Sequence, residues 1–307
     1  MTSWFKITKK ALALLGANAF FCLALEPTGA NGSDHKLTIM SYNIQNYFVE
    51  GEKTAKPQTP KDLERVQAVH HVILIYQPDI LAIQEIGGSQ ALKQLQESLA
   101  KKGLNLPYSL LYTGIDTVRQ QAILSKYPII QNYSNPYWSY QLNKQLLLMN
   151  RGILDVELQT PLGVIRCLAV HLKSQRFSPI AHQKDIRYQE TLLLKQHIEA
   201  TLKKKEDTQL IVLGDFNDTL NSEPIKLIRS IKYSKKQRQA LYPGYSMTNK
   251  SNTSPIWTQY WAYQGIYSKF DYIWITQNLR ELRPKYKLSE SKVSLLASDH
   301  RACILSF

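Results

Sequence analysis

A set of polar residues stands where apolar, strand-like runs begin or end, so their side chains can meet at one edge of a sheet. They are Asn43 in SYNI, Glu85 in AIQE, Arg151 before GILDV, His171 after LAV, Asp215 and Asn217 in GDFND, Asp271 before YIWI, and Asp299 with His300. Any one of them alone could be a cap or a turn residue. Together they include the groups that cleavage of a phosphoester would need: oxygen ligands for a hard cation, a base for water and hydrogen-bond donors around phosphorus.

Two roles follow from residue type alone. Glu85 and Asp299 offer carboxylate oxygens for Mg²⁺, which usually takes one or two carboxylates and keeps several waters. The sequence has no Cys-His cluster with zinc spacing, which argues against a thiolate zinc site. His300, with an ordinary pKa near 6.5, suits a general base at neutral pH, and Asp271 would fix its tautomer.

Segments of strand and helix character alternate along the chain and predict mixed sheets with outer helices. The predicted strands are KLTIMSYNI, DILAIQE, QAILSKYPII, RGILDVELQT, GVIRCLAVHL, TQLIVLGD, FDYIWIT and RACILSF. The predicted helices are TPKDLERVQAVHHVILIYQ, SQALKQLQESLAKKG, residues 180–205 and SEPIKLIRSI. Thr59 would cap the first helix with Pro60 at its first position, and Ser222 would cap the last. Without a repeat or linker, residues 31–307 are predicted to form one domain.

The motifs SYNI, AIQE, HLKS, LGDFND, DYIWI and SDHR occur in this order. They resemble the motifs of the endonuclease/exonuclease/phosphatase family, relatives of pancreatic-type deoxyribonuclease, from Ile39 to the C terminus. The resemblance implies an α/β (α+β) fold, a four-layer sandwich of two mixed β-sheets packed face to face with helices on both outer sides. It also implies a metal-dependent phosphoesterase site at one edge of the sheets, with Mg²⁺ as the expected ion and Mn²⁺ or Ca²⁺ as alternatives.

The resemblance also implies roles for further residues. Asp215 and Asn217 would orient the attacking water and hold the phosphate, although GDFND alone fits an Asx turn equally well. His171 would donate to a phosphate oxygen, whereas a lone histidine at a strand end is more often structural. Arg151 would contact phosphate, and Asn43 would assist the metal or the phosphate.

One departure from the deoxyribonuclease branch concerns the second histidine, which a Glu supports in that branch. Here the corresponding stretch reads Arg119, Gln120 and Gln121. His171 would then be oriented by one of the two glutamines or by a backbone carbonyl. The form HLKS, with QETLLL farther along a helix, looks more like the exported bacterial members, whose substrates vary.

The N-terminal 30 residues predict a secretory signal peptide and hence a periplasmic or secreted protein. Lys6, Lys9 and Lys10 precede the apolar run ALALLGANAFFCLAL, and TGA ends in a plausible cleavage site at Ala30. A retained membrane anchor is the alternative reading. The whole chain carries a net charge of +14, and removing three Lys and one Glu would leave about +12. Such a charge favours an anionic partner.

Two cysteines, Cys167 and Cys303, would remain after cleavage, and both fall in apolar runs. Two cysteines make no disulfide framework, and we expect buried free thiols rather than a pair.

Three functions fit these observations. The first is an exported nuclease of low sequence specificity, acting as a monomer on DNA or RNA. The second is a sphingomyelinase or phospholipase C-like enzyme of the same family, acting on membrane lipid. The third is a non-catalytic polyanion-binding protein. Basic clusters at Lys101-Lys102, 203–205 and Lys235-Lys236, and an aromatic stretch from Trp257 to Phe270, could serve nucleic acid. A solvated face and a hairpin packed on the sheet are the plainer explanations.

Overall fold

The computed structural model describes residues 37–52, 58–232, 240–247 and 257–307. The predicted signal peptide and the Lys235-Lys236 pair lie outside these residues. The strands are β1 Thr38–Tyr47, β2 Ile80–Ile86, β3 Tyr108–Tyr112, β4 Gln120–Ser125, β5 Ile129–Asn132, β6 Ser139–Leu142, β7 Gln145–Leu148, β8 Ile153–Thr160, β9 Gly163–His171, β10 Gln209–Asp215, β11 Leu241–Pro243, β12 Gln259–Trp261, β13 Ile266–Ser268, β14 Asp271–Thr276, β15 Lys285–Leu288 and β16 Cys303–Ser306. The helices are α1 Leu63–Tyr76, α2 Ser89–Lys101, α3 Gln183–Lys204, α4 Glu223–Arg229, α5 Gln277–Glu281 and α6 Ser294–Ala297, with a 3-10 helix at Gly244–Met247.

Twelve of these strands form two six-stranded mixed sheets. The first has the order β15-β16-β1-β2-β4-β3, and the second has the order β11-β14-β10-β9-β8-β5. Each sheet contains one parallel pair, β1 with β2 and β9 with β10, among antiparallel neighbours. Two small hairpins, β6–β7 and β12–β13, belong to neither large sheet.

Alternation of side chains along the strands divides the apolar residues into three cores. In β10, Ile211 and Leu213 enter a core shared by the two sheets, whereas Leu210 and Val212 face α3 and α4 on the outside. In β1, Ile39 enters the shared core, and its neighbour Met40 packs toward α1 and α2. The fold is therefore the expected four-layer sandwich, with helices outside two facing sheets.

Three local predictions are wrong or incomplete. The first helix begins at Leu63 after Asp62, so Thr59 is not its cap. Lys61 explains the delay, because its backbone N–H donates to Phe48 and its ammonium to the carbonyl of Gln45, which holds this stretch against the end of β1. The run QAILSKYPII is two strands, since β4 pairs in the first sheet and β5 in the second. Short strands such as β3 and β15 were missed.

Other local predictions are confirmed. The β8–β9 hairpin closes at the pair Thr160 and Gly163. Ser222 caps α4, and its hydroxyl accepts from the backbone N–H of Ile225. Cys167 and Cys303 are buried free thiols. Among the described helices, none combines the length and hydropathy of a membrane-spanning segment. That residues 31–307 form one domain stays a prediction.

Candidate active site

The parallel pairs bring the predicted polar residues to one rim of the sandwich. In the second sheet, His171 at the end of β9 pairs with Asp215 at the end of β10, and Asp215 pairs with Asp271 at the start of β14. In the first sheet, Asn43 lies beside Gln84, and the register shifts directly after this pair. His171, Asp215 and Asp271 thus stand in a row on the second sheet, opposite strands β1 and β2 of the first sheet.

Asn43 connects the two sheets at this rim. Its amide Nδ2 donates to Oδ2 of Asp215 at 3.0 Å, and it lies 3.5 Å from Oε1 of Glu85. The ring Nε2 of His171 stands 3.4 Å from the same Asp215 oxygen and 3.8 Å from Glu85. Four of the predicted site residues therefore surround one small volume.

His300 and Asp271 form the predicted pair. The ring Nδ1 of His300 lies 2.9 Å from Oδ2 of Asp271, and both residues are buried. The opposite ring nitrogen, Nε2, points toward Asp215 at 3.8 Å and toward Asp299 at 4.0 Å. Ser298, which the sequence reasoning missed, fixes the backbone here, because its hydroxyl accepts from the His300 N–H and donates to the Asn43 carbonyl.

Gly214 allows β10 to place Asp215. Its φ is +134°, and a Cβ at this position would lie 2.0 Å from the carbonyl oxygen of Val170 on β9. The predicted Asx turn also exists, since Oδ1 of Asp215 accepts from the backbone N–H of Asn217 at 2.8 Å. One carboxylate oxygen therefore closes the turn while the other faces the site. The amide of Asn217 donates to the carbonyl of Leu172.

The charges at the rim shift the pKa values in opposite directions. Burial disfavours the charged ring of His300, but the carboxylates of Asp271 and Asp215 outweigh burial and raise its pKa well above the ordinary value. Burial, with the nearby charges of Arg151 and His300, lowers the pKa of His171 well below its ordinary value. Neutral His171 can then donate one ring N–H, whereas His300 holds a proton strongly.

The two acids beside His300 also hold their protons more tightly than usual. Burial raises the pKa of Asp215 to about 7, despite the opposing charge of His300. Burial also raises the pKa of Asp299, and repulsion from Glu85 adds to this rise. Carboxylates that repel each other in this way gain from a cation between them.

Two groups of side chains could hold a metal ion, one with oxygen and nitrogen atoms and the other with oxygen atoms alone. Asp215, Asp271 and His300 offer three buried atoms within 4.8 Å of one another. However, the contact between His300 and Asp271 is a hydrogen-bond distance, so a proton already joins two of these three residues. Glu85 and Asp299 keep part of their carboxylates exposed and present only oxygen, which suits Mg²⁺ better.

Arg151 lies beside the site, held by a residue that the sequence did not single out. Its Nε is 3.3 Å from Oδ2 of Asp116, and its Nη1 donates to the carbonyl of Leu172. The other Asp116 oxygen accepts from the backbone N–H of Arg119. The side chain of Arg119 donates to Asn46 at 2.8 Å and stands 3.9 Å from Glu85. Asp116 thus places two arginines near the rim, and no sequence motif pointed to it.

Neither glutamine supports His171. Gln120 donates to the carbonyls of Gly87 and Thr117, and Gln121 donates to the carbonyl of Arg151. Within the described ranges, Nδ1 of His171 has no hydrogen-bond partner. The expectation that a glutamine or a backbone carbonyl orients His171 through Nδ1 is therefore wrong, because the amide N–H groups of both glutamines tie β4 to neighbouring loops and Oε1 of Gln121 likewise has no partner among the described residues.

Helix α3 holds the segment that follows His171. The buried carboxylate of Glu190 accepts from the backbone N–H of Lys173 at 2.6 Å, and Arg187 donates to the Lys173 carbonyl at 2.9 Å. The QETLLL segment of the sequence thus supplies a carboxylate to the loop beside the site. These two contacts tie α3 to the segment directly after His171.

Fold and site together indicate the class of protein. Acids, amides and histidines at one rim of two mixed sheets are the groups that a phosphoester-hydrolysing enzyme uses. The family model described as Endonuclease/Exonuclease/phosphatase family matches residues 40–300, and the chain belongs to this family. None of the curated proteins compared with the chain matched it.

Solved structures of similar fold come from animals and bacteria. The human Nocturnin catalytic domain with bound sulfate is 18% identical with a TM-score of 0.61, covering 88% of this chain and 92% of its own. Truncated Caenorhabditis elegans TDP2 is 17% identical with a TM-score of 0.60, covering 89% and 98%. A family protein from Leptotrichia buccalis is 16% identical with a TM-score of 0.59, covering 88% and 98%. At these identities the likeness concerns the fold.

Proposed function

We propose that this protein is an exported, Mg²⁺-dependent phosphodiesterase, a nuclease of low sequence specificity that hydrolyses DNA or RNA as a monomer. The observation that carries the proposal is the rim itself, where the buried His300–Asp271 pair faces Asp215 and, through Asn43, the carboxylate of Glu85. The signal-like pattern of residues 1–30 supports export.

In this proposal Glu85 and Asp299 hold the ion, with Asn43 beside them. The ion would draw charge from the phosphoryl oxygens. Neutral His171 donates to a phosphoryl oxygen, and Arg151 attracts the phosphate from the rim.

The general base is the second part of the proposal. His300, held by Asp271 in one tautomer, takes the proton of the attacking water in its neutral form. Because the carboxylates of Asp271 and Asp215 raise its pKa, this neutral form becomes more populated as the pH rises, and we expect the rate to rise with it. Asp215, whose pKa burial raises to about 7, lies 3.8 Å from Nε2 of His300 and orients the water together with Asn217.

The positive charge supports a nucleic acid as substrate. The chain carries 38 Lys plus Arg against 24 Asp plus Glu, and contacts to phosphate supply most of the sequence-independent affinity for nucleic acid. A zwitterionic lipid head group would gain much less from this charge.

One panel tests the proposal: plasmid, RNA, sphingomyelin vesicles and a simple phosphomonoester, each with Mg²⁺ and with EDTA. We expect Mg²⁺-dependent loss of plasmid or RNA. Mn²⁺ and Ca²⁺ arms identify the preferred ion. If plasmid and RNA both stay intact with each of these ions, the proposed nuclease function is refuted.

A sphingomyelinase-like activity is the second candidate, because exposed aromatic side chains flank the site: Trp261 is 47% exposed and Tyr263 is 87% exposed. Release of phosphocholine from the vesicles without loss of plasmid would select it. Salt-sensitive binding of nucleic acid with no turnover would select the third function, a polyanion-binding protein.

A further inference from the structure

The β12–β13 hairpin is an aromatic projection attached directly to the candidate active site. Residues 257–270 leave both large sheets and return to them at Asp271. Of the aromatic residues in this stretch, Phe270 at the base is buried, whereas Trp261, Tyr263 and Tyr267 expose about half or more of their surface. The stretch is therefore a hairpin, but its outer part does not pack on a sheet.

Backbone hydrogen bonds fix the base of this hairpin to the site residues. The N–H of Tyr260 donates to the carbonyl of Asp299 at 2.8 Å, and Gln259 forms an isolated bridge with His300. The hydroxyl of Thr258 accepts from the backbone N–H of Asp271 at 3.0 Å. Movement of the hairpin base would displace the residues on which the proposed chemistry depends.

Aromatic contacts stiffen the hairpin above its base. Tyr260 and Tyr267 stack across the two strands with centroids 4.5 Å apart, and Trp257 packs edge-on against Tyr267 at 4.9 Å. An isolated two-stranded hairpin is marginal in water, so these contacts stabilise a shape that the short backbone pairing alone would not hold. The outer rings of Trp261 and Tyr263 lie beside each other with centroids 6.3 Å apart, and both keep exposed surface that can meet a ligand.

We propose that the β12–β13 hairpin is a stacking platform for unpaired nucleobases that flank the phosphodiester bound at the rim. The proposal rests on the proposed nuclease function and adds to it a preference for single-stranded nucleic acid. Exposed aromatic rings beside a cationic surface are the combination that binds single strands without reading sequence. The guanidinium of Arg301 lies 4.8 Å over the ring of Trp257 and 3.4 Å from Glu290, so Arg301 braces the base of the hairpin, and the positive charge for the strand comes from the net charge of the chain.

Charge favours nucleobases over a membrane as the occupant. Trp and Tyr also suit a membrane interface, but the net charge of +14, or about +12 without residues 1–30, complements a polyanion. Stacking requires only an aromatic face, which Trp261 and Tyr263 both provide. A neutral choline-lipid surface would use the rings and leave the charge without a partner.

The test compares a thymidine oligonucleotide with an abasic strand of the same number of phosphates. Binding of the full chain is measured by fluorescence anisotropy in EDTA, so that hydrolysis does not enter. We expect the wild-type protein to prefer the thymidine strand. Trp261→Ala and Tyr263→Ala should each weaken binding of that strand at least about fivefold and leave binding of the abasic strand unchanged.

Control variants separate stacking from loss of structure. Trp261→Phe and Tyr263→Phe keep an aromatic face and should retain most of the affinity. Tyr108→Ala removes a 41% exposed ring at the end of β3 remote from the rim, and it should change neither affinity. Equal wild-type affinity for the two strands, or equal losses on both, would overturn the proposal. The proposal would also be overturned if Trp261→Ala and Tyr263→Ala lost binding to sphingomyelin vesicles and bound the thymidine strand as the wild type does.

The binding result is independent of turnover. A protein that prefers the thymidine strand in EDTA but cleaves no nucleic acid with any ion would retain the platform and lose the proposed nuclease function. If the wild-type protein cleaves nucleic acid and both alanine variants bind the two strands as it does, the proposed nuclease function is retained and the platform is refuted.

Discussion

Glu190 gives a quantitative prediction about pH and stability. Its carboxylate is 2% exposed on α3, where it accepts from the backbone N–H of Lys173 and lies near the positive charge of Arg151. Burial outweighs these favourable contacts and raises its pKa from an ordinary 4.5 to about 7. The folded protein therefore binds more protons at Glu190 than the unfolded chain between these two pH values.

The sign of the effect follows from this difference in bound protons. Stability falls with rising pH wherever the folded state binds more protons, so ionisation of Glu190 lowers the free energy of unfolding between about pH 4.5 and 7. Each pKa unit corresponds to about 1.4 kcal/mol. The loss attributable to this one group is on the order of 3 kcal/mol.

Glu190→Gln is the informative variant, because Gln resembles the protonated acid and does not titrate. We expect the variant to match the wild type near pH 4.5 and to exceed its free energy of unfolding by up to about 3 kcal/mol above pH 7. Urea denaturation at half-unit pH steps measures both proteins, and subtraction removes the titration of other groups such as Asp215.

A surface control distinguishes burial from general helix effects. Glu199 lies on the same helix, partly exposed and 3.8 Å from Lys195, and Glu199→Gln should change stability by less than about 1 kcal/mol. Parallel stability curves for Glu190→Gln and the wild type across this pH range would refute the argument. Such a result would mean that the backbone N–H groups that donate to the Glu190 carboxylate offset the cost of its burial, so that its pKa is not raised.

Further predictions concern the rim. His300→Ala should reduce Mg²⁺-dependent cleavage by about 10²- to 10⁴-fold with an unchanged circular dichroism spectrum, and near-wild-type rates would contradict the base assignment. Gly214→Ala should lower the free energy of unfolding by more than about 2 kcal/mol, because the new Cβ meets a backbone carbonyl of β9; urea midpoints within error of the wild type would contradict this. Asp116→Asn should raise KM more than it lowers kcat, since it releases Arg151 from its ion pair, and a pure kcat effect would speak against this positioning role.

Site residues at the ends of strands can be predicted from the sequence, whereas site residues in loops cannot. Asp215, His171 and Asp271 follow or open apolar runs, so their location at a sheet edge was predictable from pattern alone. Which of them would pair depends on the register of β9, β10 and β14, which short apolar runs do not specify. The family resemblance, rather than periodicity, supplied the assumption that they meet.

The residues that sequence reasoning missed bond to backbone groups, and Asp116 also pairs with the side chain of Arg151. Asp116 and Ser298 bond to main-chain atoms of residues near the rim, and any Asp or Ser in a loop has the same local appearance. Likewise, Glu190 in a helical pattern reads as an exposed acid until the packing of α3 is known. Such contacts arise from tertiary structure and leave no spacing signal in the chain.

Four of the eight non-glycine residues with positive φ in the described part of the chain lie at the rim, and the acids of the site help to hold this backbone. Gln45, Asn46, Glu85 and Asn217 all have φ between 46° and 66°, a conformation that costs non-glycine residues about 1–3 kcal/mol in the less tolerant cases. Glu85 accepts from the backbone N–H of Asn46, and Asp215 accepts from that of Asn217. The carboxylates proposed for chemistry therefore also stabilise the turns that aim them. Removing Glu85 would change the shape of the rim as well as its charge, so a lost activity in that variant alone would not identify an ion ligand.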